Sequence, residues 1–142
     1  MRAPRQGHRR RYGRRGAAAL EMAILAPPLI FLGFAAVDFG RIFYYSSTIT
    51  NCARNGALYS CDPVGISISP YANVQQAALA DASNISPTPT VSSTGGTDTQ
   101  GNTYVAVTVA YTFKTIVNYP GIPATTTLSR TVQMRVAPML PN

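Results

Sequence analysis

The sequence predicts an α+β chain in which a long N-terminal transmembrane helix continues into a small ectodomain with a short helix and an antiparallel β-sheet. Three observations carry this prediction. Ala17 to Val37 is an almost unbroken apolar run whose one charge is Glu21. Beyond it, apolar residues keep recurring at helical intervals as far as Ala57. Toward the C-terminus, two stretches alternate apolar and polar residues with the period of two that marks half-buried strands.

The charge distribution sets the first segment apart. Of 142 residues only 12% are charged, well under the quarter or so usual in soluble proteins. Arg2, Arg5, Arg9, Arg10, Arg11, Arg14 and Arg15 all precede Gly16, and the chain beyond Gly16 carries five basic and five acidic side chains. His8, the one histidine, also lies in this leader. The remainder therefore has no side chain that titrates unperturbed near neutral pH. Acid–base catalysis would fall on five scattered carboxylates, and neither a nucleotide-binding glycine pattern nor a nucleophile–base pair is present. Cys52 and Cys61 lack the paired spacing of a zinc site. The expectation is a protein that is not an enzyme and uses no cofactor.

Helix Ala17 to Val37 would rise about 1.5 Å per residue, roughly 30 Å in all, the thickness of a bilayer core. The arginines lie on one flank and the other has only Arg41 beside Asp38, so the positive-inside rule keeps the N-terminus cytoplasmic and exports the chain after residue 40. A cleaved secretory signal would end in a small-x-small site, which Asp38-Phe39-Gly40-Arg41 does not supply. Clustered arginines can bind phosphates, but abutting an apolar span they set topology, so no nucleic-acid partner is expected.

Glu21 is the informative residue. A carboxylate inside a membrane costs on the order of 2.5 to 3.5 kcal/mol on insertion scales, so its presence there points to function. The run Arg14-Arg15-Gly16-Ala17-Ala18-Ala19-Leu20-Glu21 resembles the type IV prepilin signature. Together with Met22 to Pro28, Asp38-Phe39-Gly40-Arg41 and Asn51-Cys52-Ala53-Arg54-Asn55-Gly56-Ala57, it is similar to the TadE-like family, pilin-like pseudopilins of the tight-adherence (Tad, or Flp) pilus system. Met22 stands where an aromatic residue is common in that family, and Pro28 doubles its single proline.

The resemblance implies a pilin-like fold and a bacterial inner-membrane protein supporting pilus biogenesis and adhesion. It implies cleavage by a prepilin peptidase between Gly16 and Ala17, and a Glu21 carboxylate that pairs with a new N-terminal amine during assembly. The implied partners are the membrane, the peptidase, other Tad pilins or pseudopilins and the assembly platform. The alternative is an uncleaved single-pass anchor that displays a small binding or adhesive domain.

The chain is thus expected to comprise three segments: a basic leader over 1–16, a transmembrane and stalk helix over 17–60, and an extracytoplasmic ectodomain over 61–142. Pro27 and Pro28 each remove a helical hydrogen bond, at about 3 kcal/mol or more in water, which a membrane helix tolerates as a kink. Phe39, Ile42, Phe43, Ile49, Ala53 and Ala57 carry the helical period onward, to an expected end near Gly56 to Tyr59. Cys52 and Cys61 would lie about 13 Å apart on one uninterrupted helix, too far for a disulfide; a bond requires the helix to stop before Cys61.

Within the ectodomain, Pro70 to Ala82 reads as a short helix. A short strand over Thr88 to Ser92 is expected before a Gly95-Gly96 turn. Tyr104 to Thr115 and Thr126 to Val136 read as two strands, paired antiparallel across a turn-rich Asn118 to Pro123, with Arg130 interrupting the second apolar row. Their apolar faces need a cover, and the exported half of the long helix offers one.

Overall fold

A computed structural model describes residues 13–138, with side chains from Gly16 onward. The leader residues 1–12, with five of the seven arginines and His8, lie outside the described residues. The chain divides into two units, Met1–Val37 and Asp38–Asn142. Helix α1 (Gly13–Cys61) begins in the first and ends in the second.

In the first unit every large apolar side chain from Leu20 to Phe34 is exposed. A helix that is apolar all round and buries none of its most apolar stretch suits lipid, and this one is long enough to cross a membrane. Pro27 and Pro28 stand inside it without ending it.

In the second unit the order is α1, α2 (Pro63–Ile68), α3 (Val74–Leu79), a 3-10 turn at Ala80–Ala82, and strands β1 (Thr90–Thr97), β2 (Thr103–Lys114) and β3 (Thr125–Arg135). The strands form one antiparallel sheet with β2 in the centre. Val105, Val107, Val109, Tyr111 and Phe113 of β2 are all buried, as the alternation predicts. They pack on Ile49, Cys52, Ala53 and Ala57 of α1. Burying a side chain such as Phe113 contributes about 1.5 to 3 kcal/mol, so this helix–sheet contact stabilises the ectodomain.

Several expectations need correction. The long helix runs through Cys61, past the Gly56–Tyr59 end, and both cysteines are free. The turn-back that a Cys52–Cys61 disulfide requires is not made. Phe39 and Phe43 do not join the stripe that covers the sheet: they are 64% and 73% exposed, whereas Ile49, Ala53 and Ala57 are fully buried. The single helical period superposes two faces.

The expected helix over Pro70 to Ala82 starts only at Val74, where Asn73 caps it: Asn73 Oδ1 accepts from Gln76 N at 2.9 Å, and Gln76 Oε1 accepts from Ala72 N at 2.9 Å. A further turn, α2, is an element that the sequence pattern does not announce. Asp62 caps it by accepting from Val64 N at 3.0 Å, and Pro63 opens it with a preset φ.

Gly95-Gly96 is not a turn but part of β1, paired with Val105 and Tyr104. A Cβ on Gly96 would stand 2.7 Å from the Tyr104 hydroxyl, so the glycine makes room for the tyrosine lying across the strand. The turn falls at Asp98 to Asn102 instead, where Gly101 has φ +82° and the Asp98 carboxylate accepts from Gln100 N at 2.9 Å and Asn102 N at 2.7 Å. Arg130, the break in the second apolar row, lies on edge strand β3 and donates to Ser46 Oγ of α1 at 2.7 Å.

Candidate functional site

The three sequence segments that carry the resemblance have separate structural settings. The first is the N-terminal part of α1. Gly16 lies in the helix with nothing within 4 Å of the position a Cβ would occupy. Ala17 and Glu21 are both exposed. Four residues apart on a helix, they lie one above the other on one face, the spacing at which an amine on residue 17 and the Glu21 carboxylate are neighbours. Cys52 and Cys61 belong to the second unit.

The second segment, Asp38 to Arg41, is a clamp. Asp38 is only 4% exposed. Its Oδ1 accepts from Arg41 Nη1 at 2.9 Å, its two oxygens from Ile116 N at 3.1 and 3.0 Å, and Oδ2 from the Tyr119 hydroxyl at 3.2 Å. Arg41 Nη1 also donates to the Lys114 carbonyl at 3.3 Å, and its guanidinium lies 5.1 Å from the Phe113 ring centre and 5.9 Å from that of Tyr45. A buried carboxylate is costly unless its lone pairs are filled, and here a cation, a backbone N–H and a phenol fill them. The result ties the loop after β2 to the first turn of the second unit. Burial and the neighbouring Asp38 charge push the Tyr119 phenol above its ordinary pKa, keeping it a donor.

That loop is shaped by its own sequence. Tyr119-Pro120-Gly121-Ile122 makes a turn closed by Ile122 N donating to the Tyr119 carbonyl at 3.1 Å, with Gly121 at φ +80°. Proline followed by glycine at positive φ is the type II pattern. The sequence sets Asp38 beside Arg41 but gives no sign of Ile116 and Tyr119. The i, i+3 charge pair signals that one helical turn holds a partner for each; nothing local points to a partner 78 residues on.

In the third segment, Asn51 to Ala57, the small residues are what matters. Cys52, Ala53 and Ala57 are fully buried against the sheet and Gly56 is buried with them. Arg54 is exposed, and Asn55 donates to Asp81 Oδ2 at 2.8 Å. After β3 the chain returns to this end of α1, with Ala137 N donating to the Cys61 carbonyl at 2.7 Å.

Residues 16–58 match the family described as TadE-like protein. The match starts at Gly16 and takes in the N-terminal motif, the clamp residues on α1 and the small-residue face. No curated protein and no solved structure matches the chain.

Proposed function

We propose that this chain is a pseudopilin-like component of a Tad pilus assembly system, anchored in the bacterial inner membrane with its N-terminus in the cytoplasm and its sheet domain outside. It is made as a precursor that a prepilin peptidase cuts between Gly16 and Ala17. The observation that carries this reading is the combination at the start of α1: a family match beginning at Gly16, and an intramembrane carboxylate at the fifth residue after it. In lipid an ionised carboxylate is stabilised by a neighbouring cation, and cleavage creates one on Ala17, a single turn away. The scissile bond lies inside the first turns of α1, so the peptidase must unwind them. Glycine at position 16 lowers the cost, being about 0.5 to 1 kcal/mol less favourable than alanine within a helix.

In this account Pro27 and Pro28 mark where the span bends, and the partners are the peptidase, other Tad pilins or pseudopilins and the assembly platform. The helix supplies the assembly contacts, and the fibre it serves mediates adhesion. The test separates insertion from assembly. Glu21→Ala removes a charge from the span, so it inserts at least as well as the parent chain, while recruitment into the Tad complex and pilus yield fall. Normal pili with normal recruitment of Glu21→Ala would refute the pairing role and favour a plain anchor.

A further inference from the structure

We propose that the loop between β2 and β3 rests in the headgroup layer of the membrane, at the surface where the apolar helix emerges, so that the sheet domain is seated on the bilayer. The inference rests on the reading of residues 17–37 as a membrane span. Asp38 is the first charged residue after Glu21, one position beyond Val37, so it marks the edge of the hydrocarbon. From Asp38 to Phe43 a helix rises about 7.5 Å, and the polar layer on each side of a bilayer core is about 5 to 8 Å thick. Within this layer α1 presents Phe39 and Phe43, 64% and 73% exposed, as apolar side chains suited to the headgroup–acyl boundary.

The clamp fixes the loop at the same level. Ile116 N and the Tyr119 hydroxyl both donate to Asp38, at 3.0 and 3.2 Å. Held there, Ile116 and Ile122 are 52% and 57% exposed; Val64 and Ile68 of α2 are exposed too, so it is the tether to Asp38 that sets these two isoleucines at the level of the hydrocarbon edge. Lys114, the one lysine of the chain, is exposed at the start of the loop and carries the charge that suits phosphate headgroups. Two exposed isoleucines beside a lysine and two exposed phenylalanines, all tethered within a turn or two of the hydrocarbon edge, match an interfacial surface. The occupant is the lipid leaflet through which the helix emerges. Seating requires no new chain and leaves the outer face of the sheet free.

The chain contains no tryptophan, so single tryptophans report position without background. Full-length Ile122→Trp, Ile68→Trp and Leu29→Trp are placed in phospholipid vesicles at less than one chain per vesicle, with or without lipids brominated near the headgroup or deep in the acyl chain. Ile68 is 84% exposed on α2 and serves as the aqueous reference; Leu29 reports the span. The expected result is blue-shifted Ile122→Trp emission, largely lost with shallow bromines, alongside unquenched Ile68→Trp and deeply quenched Leu29→Trp. Water-like, unquenched Ile122→Trp with quenched Leu29→Trp would overturn the seating alone. Equal quenching of Ile68→Trp would mean unspecific adsorption and would overturn it too. A blue shift that arises only at high chain density, without bromolipid quenching, would assign the loop to a second copy instead. Unquenched Leu29→Trp would remove the span and the seating together.

Discussion

Gly56 of α1 lies so close to Val107 of β2 that a Cβ on the glycine would stand 2.9 Å from Val107 Cγ1 and 3.1 Å from the Ala78 Cβ. The helix can approach the sheet and α3 this closely only because the residue has no side chain. Gly56→Ala gains about 1 kcal/mol of helix propensity but overpacks the contact at a cost of about 1 to 3 kcal/mol, so a net loss or rough balance is expected. Gly56→Val has no such offset and lowers the ectodomain melting temperature clearly. Thermal circular dichroism in detergent checks both, and an unchanged melting point for Gly56→Val would contradict the close packing.

Asp38→Ala strips the acceptor from Arg41, Ile116 N and Tyr119 at once. Hydrogen bonds to a charged group contribute about 1.5 to 3 kcal/mol each, a value to be discounted here because the Arg41 side chain is a third exposed. The expected outcome is a loss of about 2 to 4 kcal/mol and fast hydrogen exchange at the Ile116 amide. Asp38→Asn, which keeps the shape and one acceptor, falls between. An Ile116 amide equally protected in Asp38→Ala would show that the loop holds its place by other means.

These contacts show what can and cannot be read from the sequence. The apolar run, the inward row Val105 to Phe113 and the antiparallel pairing of β2 with β3 are legible, because local periodicity fixes them and tertiary contacts only complete them. The clamp is half legible: Asp38 and Arg41 are neighbours on one helical turn, but Ile116 and Tyr119 reach them only through the fold. Gly95-Gly96 misleads because glycine pairs usually mark turns, and the ring of Tyr104 that occupies their space lies on another strand. Phe39 and Phe43 mislead for the opposite reason: they fit a helical period, but the sheet covers only one face of it and theirs is the other.

The turn between β1 and β2 gives a pH dependence. Hydrogen bonds from the Asn102 backbone and side chain, and from Gln100 N, hold the Asp98 carboxyl below its ordinary pKa. A carboxylate whose pKa is depressed by folding stabilises the native state above its unfolded pKa, and that contribution is lost as pH falls through the folded value. The parent chain therefore loses ectodomain stability below the ordinary carboxylate range partly through this turn, and Asp98→Asn flattens that part of the profile. Identical acid profiles for the two chains would contradict the assignment.

The cysteines are free and differently placed. Cys52 is fully buried against the sheet, while Cys61 is partly exposed at the end of α1. If the sheet domain lies outside the membrane, a membrane-impermeant thiol reagent on intact spheroplasts labels Cys61 without prior reduction and reaches Cys52 only after unfolding. Cys61 that labels only after reduction would restore the disulfide, and Cys61 that labels only after lysis would place the domain in the cytoplasm.

The central claim is that this chain is a precursor cut after Gly16, and the mass of the N-terminus tests it most directly. Coexpressed with its cognate prepilin peptidase, the protein recovered from the membrane fraction should begin at Ala17, lacking the 16-residue basic leader and carrying equal numbers of acidic and basic side chains. Gly16 replaced by a bulky residue should leave the leader in place. A parent chain that keeps its intact N-terminus beside a peptidase active on another pilin, or one cut after residue 35, would contradict the account.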